Sequence, residues 1–176
     1  MMNDNAFRLE SAIEVLERTP RVIRAMVDGL PDCWISGGAE DNWAPVDVVG
    51  HLIHGEQTDW IPRAEIILEH GEERTFTPYD RLAQFRSSNR KTLTELIDEF
   101  ESLRAENIET LRSWNLSESQ LKLNGMHPEL GKVTLAQLIA TWLVHDLTHI
   151  RQIATFMARK YEKEVGPWKE YLSILH

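Results

Sequence analysis

Between Leu138 and Phe156 the large side chains recur at steps of three and four residues, through Leu138, Trp142, His145, His149, Gln152 or Ile153, and Phe156. That spacing puts them on one face of an α-helix, and such a face has to be buried against other elements. The same period appears three more times upstream, so the chain has to build itself from packed helices. Residues 6–30 carry Phe7, Ile13, Leu16, Ile23, Met26, Val27 and Leu30 at helical spacing. Thr19-Pro20 falls inside this run and predicts a kink or restart, with Pro20 near the first helical position. A second helix is expected from Pro45 through Ile61, extending as far as Leu68 before Gly71 stops it, with a bend at Pro62. Leu93, Leu96, Ile97, Phe100, Leu103 and Leu111 mark a third, ending near Trp114. The fourth opens at Thr134, whose pairing with Gln137 forms a capping box, and should reach about Tyr161 before Gly166-Pro167.

The connections are less regular. Residues 31–44, with Gly37-Gly38, and the long stretch Asn115–Val133, with Gly125, Pro128 and Gly131, read as loops. No segment alternates as a strand would, and there is no internal repeat. The expectation is an all-α four-helix bundle with a long crossover connection, folded as one domain over residues 1–176.

Charge narrows the function. The chain has 19 Lys and Arg against 28 Asp and Glu, a net charge of −9, which repels nucleic acid and anionic lipid. No apolar run approaches a membrane span of about 20 residues. The opening Met-Met-Asn-Asp-Asn lacks the pattern of a signal peptide, so a cytoplasmic location is expected. Cys33 is the only cysteine, so any metal would have to be held by histidine and carboxylate.

His145 and His149 lie one turn apart on the core-facing stripe, the spacing at which two imidazoles on a helix can reach one ion. A pair does not complete a catalytic site, which usually takes three protein ligands and keeps a position open. Helix two offers His51 and His54 among Val48, Val49, Leu52 and Ile53, and the spacing does not choose between them. The competing reading is a set of core histidines, each hydrogen-bonded separately.

Several neighbours fall near this face. Glu56 is expected to be solvated, with orienting a ligand or acting as a base as its alternatives. Asp146, about 100° around the helix from His145, is expected to face solvent or a partner chain. Gln152 returns to the His145 face and can bond a ligand or substrate. Gly55 leaves room beside His51, or merely lets helices pack closely. Trp60 and Trp142 read as core or pocket wall.

The segments Trp43-Ala-Pro-Val-Asp-Val-Val-Gly-His51-Leu-Ile-His54-Gly-Glu56, His127-Pro-Glu-Leu-Gly131-Lys-Val-Thr-Leu135 and His145-Asp-Leu-Thr-His149-Ile-Arg-Gln152, with the ending Gly166-Pro-Trp-Lys-Glu-Tyr-Leu, together resemble the DinB/YfiT-like superfamily. The resemblance implies a four-helix bundle, often dimeric, that holds one divalent metal ion, zinc or nickel, through three histidines. By position these are His51, His145 and His149. His54 is left as an alternative ligand, a residue behind the ligands, or a buried polar group.

Three neutral imidazoles would leave such an ion its full charge and at least one open position. It could then ionise a water or a thiol. The resemblance implies two enzymatic readings, transfer of a low-molecular-weight thiol and, second, metal-dependent hydrolysis of a small molecule. A metal-binding stress or storage bundle without catalysis is the third, and closure of the ligand sphere by a fourth side chain such as Glu56 would favour it.

Overall fold

The computed structural model describes residues 7–39, 42–80 and 91–176. The first helical run is two helices, α1 (Leu9–Leu16) and α2 (Thr19–Val27). The restart follows from Pro20, which lacks the N–H that would have bonded the carbonyl of Leu16 four residues earlier. A four-residue helix, α3 (Asp32–Ile35), lies within the segment expected as loop.

The second run is likewise interrupted, into α4 (Pro45–Thr58) and α5 (Trp60–His70). Pro62 cannot donate to the carbonyl of Thr58, so the ladder breaks one turn before the proline, at Asp59, with φ −112° and ψ −66°. Gly71, at φ 55°, ends α5 as expected. Helix α6 (Leu93–Ser113) begins with a reciprocal cap between Thr92 and Glu95, and α8 (Leu135–Arg159) with the Thr134–Gln137 pair. The tail forms 3₁₀ turns at Gly166–Tyr171 and Ser173–Leu175.

The stretch Asn115–Val133 departs from expectation. It holds a short helix, α7 (Glu118–Leu121), and an antiparallel hairpin of β1 (Asn124–His127) and β2 (Gly131–Thr134). Four-residue strands are too short to display an alternating period, and Gly125, Pro128 and Gly131 mask what remains. Gly125 is required by close approach, since a Cβ there would lie 2.5 Å from Cγ1 of Ile67 and 2.9 Å from Cζ of Phe76. The backbone N–H of Phe76 donates to the carbonyl of Met126 at 2.9 Å, tying the segment after α5 to the hairpin.

Helix α8 packs on α1, α2, α4 and α5, while α4 and α2 also pack on α6. One apolar cluster joins α1, α5 and the N-terminal half of α8 through Ile13, Leu16, Trp60, Ile67 and Trp142. Another joins α2, α4 and α6 through Ile23, Val49, Ile97 and Phe100. The buried stripe of α8 is Leu135, Ile139, Trp142, Asp146, His149, Ile153 and Phe156, an unbroken alternation of four and three. It runs through Asp146, and His145 lies on its flank. Asp146 is therefore fully buried, against the expectation that it faces solvent or a partner chain.

Candidate metal centre

Helix α4 contributes His51, and α8 contributes His145 and His149. One nitrogen from each of the three lies within 4.8 Å of the other two. The Nε2 of His145 is 3.1 Å from Nε2 of His51 and 3.1 Å from Nε2 of His149. Three nitrogens around a tetrahedral ion with bonds of about 2.0–2.1 Å would stand about 3.3 Å apart, and around an octahedral one about 2.9 Å apart. The two distances from His145 fall between these values.

The opposite edges of the rings fit the same arrangement. The side-chain oxygen of Gln152 accepts from Nδ1 of His149 at 2.8 Å, which keeps that proton away from Nε2 and leaves the inner lone pair bare. The Tyr79 hydroxyl lies 3.0 Å from Nδ1 of His51 and can accept from it in the same sense. Such outer partners normally fix the tautomer and orientation of a metal-binding histidine. Nδ1 of His145 is buried with no hydrogen-bond partner among the described residues. Burial first, then the neighbouring His149, His51 and Arg104, pushes the His145 imidazolium down to about 3. Burial also lowers His149, against Gln152 and Asp146. Both rings are thus neutral near pH 7, as ligands must be. The residues present fit a divalent cation.

His54 takes no part in the cluster; its ring packs at 5.0 Å from that of Tyr79. Glu56 does not close the ligand sphere either, and it is not solvated. Both of its oxygens are engaged, Oε1 by Arg104 at 2.7 Å and by the Trp142 indole N–H at 3.0 Å, Oε2 by Asn107 at 3.0 Å. The other nitrogen of the same guanidinium reaches Asp146 at 2.6 Å. It also donates at 2.7 Å to the carbonyl of Leu16, the acceptor that Pro20 left unpaired. Arg104 comes from α6, and nothing in the periodicity of α4 or α8 signals its arrival.

A cavity of about 550 Å³ opens beside His51 and His145, walled by Trp43, Trp60, Phe76 and Leu138. Gly55 lies on its wall, where a Cβ would come 3.2 Å from Nε1 of Trp60. Trp60 is the pocket wall of the sequence reading, and Trp142 is core. The cavity also takes in Asp59, Arg63 and Tyr79, none of them singled out in the sequence, and His127, which opens one of the segments that carry the resemblance but is given no role there. Asp59 and Arg63, one turn apart, are the one signal that could have raised the first two. Tyr79 stands outside the helices, where periodicity is silent. No helix among the described residues is long and apolar enough to cross a membrane.

A helical bundle with a histidine cluster beside a largely apolar cavity is thus the class that fold and site define. The family model described as the DinB superfamily matches residues 15–153, and the chain belongs to that superfamily. Among solved structures it is similar to YfiT from Bacillus subtilis, described as a probable metal-dependent hydrolase with an unusual four-helix bundle topology. That similarity has a TM-score of 0.74 at 23% identity and covers 91% of this chain and 93% of that one. No curated protein sequence matches the chain.

Proposed function

We propose that His51, His145 and His149 hold one divalent metal ion through their Nε2 atoms, and that the protein is a metal-dependent enzyme acting on a small molecule in the adjoining cavity. The observation that carries this reading is the convergence of three Nε2 atoms beside a cavity that His51 and His145 line. An all-imidazole donor set suits zinc or nickel among the borderline metals. When bound, the ion supplies Lewis acidity that makes a thiol or a water nucleophilic near neutral pH.

The chain's own residues supply the rest. Gln152 and Tyr79 hold the rings of His149 and His51 in the tautomer that turns Nε2 inward. Trp43, Trp60 and Phe76 give the space beside His51 and His145 aromatic walls suited to an apolar substrate body. Glu56 and Asp146, on the same two helices as the ligands, are committed to Arg104, and Asp59 in the cavity wall is paired with Arg63, so none is suited to taking a proton from a nucleophile. This favours a nucleophile that ionises with little help. A thiol, with an ordinary pKa of about 8.5, meets that condition better than water, whose ordinary pKa lies far higher. Thiol transfer is therefore the first reading. Hydrolysis is the second, supported by the description of YfiT as a probable metal-dependent hydrolase. The ligand set leaves the cavity side unclosed by any fourth histidine, cysteine or carboxylate among the described residues, which argues against a purely structural ion.

Elemental analysis of protein purified without a metal-affinity tag tests the centre. One equivalent of metal is expected in the wild type and almost none in His145→Ala; equal metal in both would sink the assignment. Conjugation of an aryl electrophile to several small thiols, run beside ester and amide hydrolysis with and without chelator, then separates the two reactions.

A further inference from the structure

The cavity that His51 and His145 line also carries recognition chemistry of its own. Arg63 on α5 is 8% exposed, so its guanidinium is lodged in the cavity wall. Its Nε faces Asp59 Oδ1 at 2.6 Å and its Nη2 reaches the carbonyl of Thr77 at 3.4 Å. No described residue takes the protons of Nη1. Asp59 therefore orients the guanidinium from one edge and leaves the other to whatever occupies the cavity.

A second donor stands beside it. The hairpin tip folds the backbone N–H groups of Glu129 and Leu130 onto Nδ1 of His127, at 3.1 and 3.2 Å. With Nδ1 accepting, the ring proton resides on Nε2, so neutral His127 is a donor at its other edge. Both groups pack on one aromatic ring. The Arg63 guanidinium lies over Phe76 at 5.3 Å, and the His127 imidazole meets it edge-on at 6.1 Å.

We propose that Arg63 and His127 form an anion-recognition end of this cavity, selecting substrates that carry a carboxylate on an apolar or aromatic body. Phe76 and Trp60 take the body, and the guanidinium Nη1 and imidazole Nε2–H donate to the carboxylate oxygens. The proposal rests on the reading of this cavity as the substrate site, but it does not require a metal. A cation-binding role is disfavoured because the acidic member of the pair, Asp59, is 9% exposed and already engaged by Arg63.

The test measures quenching of tryptophan fluorescence by 3-phenylpropionate and by its neutral amide, with Trp43 and Trp60 as reporters in the cavity wall. The acid should bind chelator-treated wild type about tenfold or more tightly than the amide, as expected of hydrogen bonds to a charged group. The same preference should persist in His145→Ala. It should vanish in the double variant Asp59→Asn/Arg63→Gln, which leaves no unpaired buried charge and whose fold is checked by circular dichroism. His127→Gln should reduce it.

Equal binding of acid and amide to metal-free wild type, or no binding of the acid, overturns the proposal. So does a preference that survives in the double variant. A preference that appears only with metal overturns it as well, while supporting the metal centre. Conversely, a preference in metal-free protein, together with no metal in the purified wild type, supports this inference and defeats the centre.

Discussion

Glu56 and Asp146 lie on the same two helices as His51 and His145, yet the two clusters treat their polar atoms in opposite ways. Around Arg104 the carboxylate oxygens meet guanidinium, indole or amide donors, and the surplus proline-freed carbonyl of Leu16 is taken up as well. Around the histidines three ring nitrogens face one another, and Nδ1 of His145 has no partner among the described residues. Among the described atoms of the Arg104 network only Arg104 Nε lacks a partner, and acceptors so fully taken up mark a group that holds the bundle together. Unspent lone pairs pointed at one spot mark a group that awaits something else. Adjacent residues of a single helix, His145 and Asp146, fall on opposite sides of this division.

The sharpest way to break the comparison is Arg104→Met. It leaves two carboxylates buried without their cation and should cost about 3–5 kcal/mol in urea unfolding. A loss below about 1 kcal/mol would mean that the network is not what stabilises the core. Metal comes next. Free ion at a hundred times its Kd should stabilise the wild type by about 2.7 kcal/mol, read as a rise in Tm, and should leave His145→Ala unmoved. Replacing Gln152 by Leu removes the oxygen that fixes the His149 tautomer. Competition against a chelator should show metal affinity falling about 10–100-fold, or about 1.4–2.7 kcal/mol, with little change in metal-free stability.

Acidity offers a quieter probe. In metal-free protein His145 is held neutral by burial down to about 3, while in the unfolded chain it ionises near 6.5. Between those values the unfolded state binds the extra proton, so stability falls as pH is lowered, by about 1.4 kcal/mol per unit for one such group. His145→Gln should flatten that slope between pH 6.5 and 5; an unchanged slope would place the titration elsewhere. Smallest is Gly55→Ala, where better helix propensity opposes a tight contact with Trp60 and unfolding should shift by less than about 1 kcal/mol.

What the sequence disclosed was local in origin. The Thr134–Gln137 cap, the ends of α6 and the one-turn spacing of His145 and His149 each depend on residues a few positions apart. Resemblance was needed to prefer His51 over His54. Glu56 and Asp146 were misread because what buries them is an arginine 48 and 42 residues away in the chain. The stripe of α8 does pass through Asp146 in strict four-three alternation, but a charge on such a stripe is intelligible only once its partner is known. The hairpin escaped notice because its strands are too short to alternate visibly. Tyr79 did so because it belongs to no periodic element.

That hairpin divides labour within the molecule. The histidines ride on long helices packed into the core, whereas His127 and Leu130 reach the cavity from a connection held against Phe76 and Ile67 by Gly125, Met126 and His127. The hairpin tip lies on a different element from the three histidines, which belong to α4 and α8. If the histidines hold a metal ion as proposed, a lineage built on this scaffold can change what the cavity accepts by rewriting one short ribbon, while the proposed centre is inherited intact.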